Sequence, residues 1–237
     1  EGRTDMKNIL GGKGANLAEM TSLGLPVPPG FTISTEICEA FYKNNEKLPE
    51  EVKQSALDAL KRVETKLGKK FGDEKNPLLV SVRSGARVSM PGMMDTILNL
   101  GLNEKSLKGL AEQSNNERFA WDSYRRFIQM YSNVVLGMNV SHLEVYLEDL
   151  KDEKGYKNDT ELTAEDLQKI VAMYKKQVKM TTGAEFPEDP YDQLWGAVSA
   201  VFKSWNTNRA ITYRQLHEIP ASWGTAVNVQ SMVFGNM

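Results

Sequence analysis

Cysteine is almost missing from this chain of 237 residues: Cys38 stands alone. A single thiol excludes an internal disulfide framework and any Cys-based zinc cluster, and it reads as a small apolar residue within a helix. A reduced, cytoplasmic setting follows as the expectation. Charge of one sign is equally scarce. The 29 basic and 31 acidic residues leave a formal charge of -2, so no polyanion-binding surface and no nucleic-acid partner are expected. No apolar run reaches the roughly 18–20 residues that a bilayer span needs, so no membrane partner is expected either. Histidine occurs only at His142 and His217. Neither has carboxylates at metal-ligand spacing nearby, so no metal site is predicted; Ser141 is read as the cap of a helix that begins beside His142. The chain opens without an initiator methionine and closes soon after a strand-like Val227–Phe234. Both features lead to the expectation of a piece of a longer protein.

With 41% hydrophobic residues, the chain can bury a substantial core without staples. Gly11-Gly12-Lys13-Gly14 runs into good helix formers from Ala15 to Met20, which predicts a glycine-rich turn opening a helix that stops at Gly24. Pro26, Pro28 and Pro29 impose an extended turn before a short strand at Phe31–Ile33. Helical periodicity covers Thr35–Tyr42 and Pro49–Leu67, the latter with Val52, Ala56, Ala59, Leu60 and Val63 on one face. Leu78–Val82 reads as a buried strand that ends at Arg83. From Arg83 to Met94 no period survives, and a long mobile loop is expected before a strand at Thr96–Leu100.

Residues 103–182 are mostly helical in pattern. Thr163 and Asp166 have the spacing of a capping box, and Lys151–Glu161 reads as a polar connector. A last helix, Asp192–Trp205, precedes the terminal strand. Strands at both ends and helices between them predict an α+β fold: residues 1–102 and 189–237 form one discontinuous subdomain, and 103–188 a helical insertion.

Three segments could carry chemistry. In Gly11-Gly12-Lys13-Gly14 the glycines would let backbone N–H groups approach a phosphate, with Lys13 adding a point charge. The Walker A spacing is absent and no Ser or Thr follows Lys13, so a plain helix-start turn stays open as the alternative. Arg83 sits at a strand end, where its planar fork would suit phosphate oxygens or simply reach solvent. Arg87 reads as a solvated charge. The Ser89–Thr96 run, with Met90, Met93 and Met94, reads equally as a hinged lid or as core-filling methionines under a loop.

Taken together, these segments resemble the pyruvate phosphate dikinase family. The resemblance rests on GGKGANLAEM within Lys7–Pro29, on LLVSVRSGARVSMPGMMDTILNLGLN at Leu78–Asn103, and on FKSWNTNRAITYR and PASWGTAVNVQSMVFGN within Gln193–Asn236. It implies an incomplete ATP-grasp-like nucleotide-binding domain. The family interconverts ATP, phosphate and pyruvate with AMP, pyrophosphate and phosphoenolpyruvate, through a phosphohistidine on a separate domain. By motif position Lys13 and Arg83 match its phosphate-contacting, catalytic lysine and arginine, and Gly11, Gly12 and Gly14 its first nucleotide loop. Gly92, Met93, Asp95 and Thr96 fall in the loop that closes over the phosphates, and Gln230 and Met232 in the strand bordering the adenine. Further implied are ATP and phosphate as ligands, Mg2+ with ligands outside this chain, and a monovalent cation. The implied partners are the phosphohistidine and pyruvate-binding domains of a homo-oligomeric parent. A piece of this kind is expected to be inactive alone. The alternatives are a related phosphohistidine enzyme, such as phosphoenolpyruvate synthase or a water or antibiotic phosphotransferase, and a non-catalytic nucleotide-binding module. The SMPGMMDT run argues against the former, intact Lys13 and Arg83 against the latter.

Overall fold

The computed structural model describes residues 2–235. Glu1, Asn236 and Met237 lie outside the described residues, and with them the last residue of the third motif. The chain is mixed helix and sheet and divides into two compact units.

The first unit comprises Glu1–Lys69, Val80–Thr96 and Trp195–Val233. Its strands are β1 (Gly30–Ile33), β4 (Val80–Ala86) and β6 (Thr225–Ser231). The long central strand β6 runs antiparallel to both neighbours, pairing Asn228 with Thr32 on one side and with Arg83 on the other. Alternate residues of a strand point to opposite faces, so this register sorts the side chains. Val80, Val82, Val227, Val229 and Ile33 share one face and are nearly or wholly buried. The opposite face carries Thr32, Ser81, Arg83, Gly85, Asn228 and Gln230.

The apolar core of the unit is completed by α2 (Thr35–Lys43), α3 (Glu50–Leu67) and the later part of α8 (Pro190–Ser204). Cys38 is a buried free thiol in α2, and the rings of Phe41 and Phe202 meet at 5.4 Å. In α3 the buried stripe is Ala56, Ala59, Leu60 and Val63. Each such apolar side chain removed from water contributes about 1.5–3 kcal/mol for the larger residues.

Three expectations change here. The strand through Val82 continues to Ala86, because β6 is long enough to pair every residue from Val80 onward. Arg83 is therefore inside a strand rather than just past its end. Second, α1 spans Lys7–Ser22, so the glycine run lies within a helix and not in a turn before one. The helix is broken at Gly11, whose φ of 66° and ψ of 174° are non-helical, and a second helical segment restarts at Gly12. It ends at Ser22 with Leu23 as its cap, and Gly24 follows at a left-handed φ of 76°, the stop expected from the sequence. Third, a further helix, α9 (Asn208–Leu216), precedes β6, capped by the Thr207 hydroxyl accepting from the Ala210 N–H at 3.4 Å. Only Ala210 and Arg214 are buried in it, so it has no apolar stripe to betray it.

The second unit comprises Lys70–Leu79, Ile97–Leu194 and Phe234–Met237. A short parallel pair, β2 (Lys70–Phe71) with β3 (Pro77–Leu78), and β5 (Thr96–Leu100) accompany α4 (Ser106–Ser114), α5 (Glu117–Val134), α6 (Ser141–Lys154) and α7 (Ala164–Thr182). Helix α5 packs on α7, burying Tyr124, Phe127, Ile128 and Tyr131 with Leu167, Ile170, Val171, Tyr174 and Val178. The Thr163–Asp166 capping box is present, with reciprocal bonds of 3.2 and 3.1 Å. Helix α6 runs on to Lys154, into the stretch expected as a connector. Lys151 there is buried and ion-paired to Glu148 at 2.7 Å and Asp159 at 3.1 Å. The N-terminal cap of α6 is not the Ser141 side chain: the Ser141 N–H donates to Asn139 Oδ1 at 3.0 Å. Among the described residues, no helix is long and apolar enough to cross a membrane.

The break at Gly11 makes a direct demand. A Cβ built there would lie 1.6 Å from the Gly85 carbonyl oxygen, while one on Gly92, also left-handed at φ 71°, meets nothing within 4 Å. Gly11→Ala is therefore expected to cost about 3 kcal/mol or more, from strain and overpacking together. Gly92→Ala should cost only the left-handed penalty, about 1–2 kcal/mol. Urea denaturation of the two variants checks the order; equal losses would mean that α1 is free to lift off β4.

Candidate functional site

The first unit's polar sheet face is where its local chemistry departs from that of a simple core. Helix α1 lies on β4 and β6, and small residues let it come close. Gly11 rests against the Gly85 backbone; a Cβ on Gly14 would come within 3.0 Å of Thr32 Oγ1 and 3.1 Å of Asn228 Oδ1. Gly11 and Gly14 are buried and Gly12 is half-buried, so these glycines serve the approach of helix to sheet. Asn228, 1% exposed, accepts from the Thr32 hydroxyl at 2.9 Å.

That approach sets Lys13. The residue is exposed as a whole, yet its ammonium is drawn onto the Ser84 carbonyl oxygen at 2.9 Å. Burial first, and the charge of Arg83 second, lower the Lys13 pKa below the ordinary lysine value. Arg83, two residues from Gly85 along β4, points from the same face and donates through Nη2 to Gln230 Oε1. Gln230 is held in turn, its Nε2 donating to the Pro28 carbonyl at 3.0 Å. Its carboxamide is thus committed at both ends, to the arginine and to the proline turn. The structure brings Lys13, Arg83 and Gln230 together; Met232 follows the end of β6 and is half-buried.

Both cations bond to neutral acceptors, and among the described residues neither forms an ion pair. Arg83 Nε and Asn228 Nδ2 are buried donors without a protein partner. A constellation of unneutralised cations and unspent donors fits an anion with several oxygens. It does not fit a divalent cation, and no group of three or more His, Cys, Asp or Glu that could hold a metal gathers among the described residues.

The segment after β4 divides the two readings of its methionines. Met90 is buried at 8% exposure, whereas Met93 and Met94 are half-buried and Pro91 and Gly92 exposed. The tip turns through a bond from the Met93 N–H to the Met90 carbonyl at 3.1 Å. Asp95 pairs with Arg209 of α9 at 3.0 Å; burial nevertheless raises its pKa, the arginine only partly opposing. Thr96 is half-buried at the start of β5. Arg87 is not the solvated charge expected: it is half-buried and lies over the Trp223 ring, 5.1 Å from its centroid.

Sequence reasoning missed Thr32, Asn228 and Trp223. The first two carried a signal: Asn228 and Gln230 alternate with valines in β6, polar residues at period 2 in a strand that is buried throughout. Trp223 carried none, since its role depends on where Arg87 ends.

The family described as "Pyruvate phosphate dikinase, AMP/ATP-binding domain" matches residues 7–237. Over its whole length the chain is 56% identical to "Pyruvate, phosphate dikinase" of Clostridium symbiosum, of which it covers 27%. It is 54% identical to the protein of the same name in Rhizobium meliloti (strain 1021), covering 26% of it. The same identity holds against "Pyruvate, phosphate dikinase, chloroplastic" of Mesembryanthemum crystallinum, with 25% covered. The chain thus spans about a quarter of the length of these curated relatives. Since the family match takes in both the kinked helix and the polar sheet face beneath it, this chain belongs to the pyruvate phosphate dikinase AMP/ATP-binding domain family.

Proposed function

We propose that this chain forms the phosphate-holding wall of an ATP site in a longer pyruvate phosphate dikinase, with an ATP-grasp-like fold. The parent would convert ATP, phosphate and pyruvate to AMP, pyrophosphate and phosphoenolpyruvate in the cytoplasm, through a phosphohistidine carried by another domain. A homo-oligomeric parent with a separate pyruvate-binding domain belongs to the same proposal. The observation that supports it is the pairing of Lys13 and Arg83, two cations on one sheet face with only neutral protein partners.

Each residue then has a physical task. Phosphoryl transfer spreads negative charge over the β- and γ-phosphoryl oxygens, and fixed cations stabilise it without reorganising. Arg83 offers a planar fork and Lys13 a point charge, while Gln230 acts as a positioning residue that fixes the fork. This task replaces the adenine border expected for Gln230 from the resemblance; Met232, beyond the strand, retains that place in the proposal. Gly11, Gly12 and Gly14 set Lys13 by letting α1 settle on the sheet. The loop carrying Gly92, Met93, Asp95 and Thr96 would exclude water, with Asp95 tied to Arg209 and the tip free to turn at Gly92. Mg2+ and a monovalent cation would neutralise phosphate charge when bound, held by carboxylates outside this chain.

Calorimetric titration of the chain with Mg-ATP tests the assignment. Arg83→Ala is expected to weaken binding about tenfold or more, the loss of a charge-assisted contact. In a full-length parent either Arg83→Ala or Lys13→Ala should slow phosphorylation from ATP by about 10²–10³. Binding and rate unchanged in both variants would sink the proposal.

A pH signature separates Lys13 from a passive neighbour. Its pKa is depressed in the free chain, and an adjacent phosphate favours the charged ammonium, raising it. Binding should therefore take up protons at alkaline pH, and affinity, complete below the free-state value, should fall as pH rises through it. Calorimetry in buffers of different ionisation enthalpy reads the uptake. Lys13→Arg should abolish it, because a guanidinium stays charged throughout; persistence of the uptake would assign it to another group.

A further inference from the structure

A third cation stands on the other side of the α1 kink. Arg83 and Arg87 are four residues apart in and just after β4, about 13 Å along an extended chain. Gly85, halfway between them, is where Gly11 touches the strand. The kinked turn thus crosses β4 between the two arginines. Lys13 answers to the Arg83 side, since Arg83 is the charge that lowers its pKa. On the other side the restart of the helix at Gly12 lies against the Ala86 and Arg87 carbonyls, at 3.4 and 3.5 Å from a Cβ built on Gly12.

Arg87 is held rather than loose. Its guanidinium carbon lies over the Trp223 ring at 5.1 Å, and its Nε is buried without a protein partner. Trp223 is itself placed by the short helical turn Ala221–Trp223, immediately before Gly224 and β6. Among the described residues Arg87 forms no ion pair. A guanidinium held over an indole by a cation–π contact keeps its N–H donors for another group, and the contact lowers the entropy cost of using them. A planar fork with unspent donors matches a tetrahedral oxyanion.

We propose that Arg87, clamped on Trp223, is a second phosphate subsite, separate from the Lys13–Arg83 pair across the Gly11–Gly12 kink. Its ligand is a single phosphoryl group, supplied either as free orthophosphate or as a phosphate of a nucleotide. The inference extends the phosphate-handling reading of this sheet face and rests on it, but its residues are different and can be tested apart.

The test uses the chain labelled with 5-fluorotryptophan and followed by 19F NMR, with Trp223→Phe identifying the Trp223 resonance. Orthophosphate, AMP and ATP are titrated separately, with a thermal melt confirming that each variant is folded. The expected result is a saturable shift of the Trp223 resonance. Arg87→Gln should abolish it or weaken binding about tenfold or more, and Arg83→Gln should leave it in place. Arg87→Lys, which keeps the charge but loses the planar fork, should bind more weakly than the wild type. A shift with orthophosphate that ATP does not displace assigns the subsite to free phosphate. A shift with ATP that orthophosphate competes against assigns it to a nucleotide phosphate. No saturable shift with any of the three, or one that survives Arg87→Gln, overturns the subsite. A shift that vanishes in Arg83→Gln alone returns the effect to the first pair, and the Arg87 subsite falls while the Lys13–Arg83 reading stands.

Discussion

The contact of Gly11 with the Gly85 carbonyl governs the rest of this site. A helix normally keeps its distance from a sheet because both carry side chains; here two glycines remove them at the point of crossing, and a left-handed φ at Gly11 turns the helix away from a clash. Once α1 is that close, Lys13 has the Ser84 carbonyl within 2.9 Å, and Gly14 lies over Thr32 and Asn228. The position of the lysine is thus a consequence of backbone packing, and not of its own long side chain seeking a partner. A rigid backbone is what a flexible four-carbon stem needs if its charge is to sit in a defined place.

The sheet underneath carries a division of labour that period-2 geometry makes possible. One face supplies valines to the core, and the other buries Asn228, Ser81 and Gln230. Burying polar groups costs free energy unless they are bonded, and most are: Asn228 to Thr32, Gln230 to Arg83 and Pro28, Ser81 to the Gln230 carbonyl at 3.3 Å. The exceptions, Arg83 Nε and Asn228 Nδ2, fall together, on directly paired residues of β4 and β6. A sheet designed for stability alone would place apolar residues there, so these two donors are a local departure from packing consistency, which the proposed phosphate site would account for.

Much of this was legible in the sequence, and the failures have physical causes. The amphipathic helices α2, α3, α5 and α7 announce themselves through period, because their apolar faces are continuous. From sequence the strand stops before Arg83, because an arginine inside a buried strand contradicts β-sheet burial unless the other face is polar, and that is visible only once β6 is known to carry Asn228 and Gln230. The glycine run reads as a turn because Gly12 and Gly14 are poor helix formers; tertiary contact with Gly85 overrides that propensity. Helix α9 escaped because it buries little more than Ala210 and Arg214 and so lacks a stripe. The motifs carried the family, while the partnership of Gln230 with Arg83 needed the strand register.

Two cations held this close repel, and the protein does not cancel the repulsion with a carboxylate. The Lys13 pKa is lowered by burial first and by the neighbouring Arg83 guanidinium second, so both disfavour its proton. An anion carrying charge on several oxygens relieves both effects at once, since it restores solvation to the ammonium and screens it from Arg83. In the proposed site, the more negative charge a bound group gathers, the greater the relief, so the arrangement would discriminate by charge as well as by shape. Interactions that strengthen as charge develops are the ones that lower a barrier rather than merely tighten binding. Under the proposed function, the proximity of Lys13 and Arg83 would therefore suit a transferring phosphoryl group better than a static one, with Gln230 holding the arginine through its Oε1.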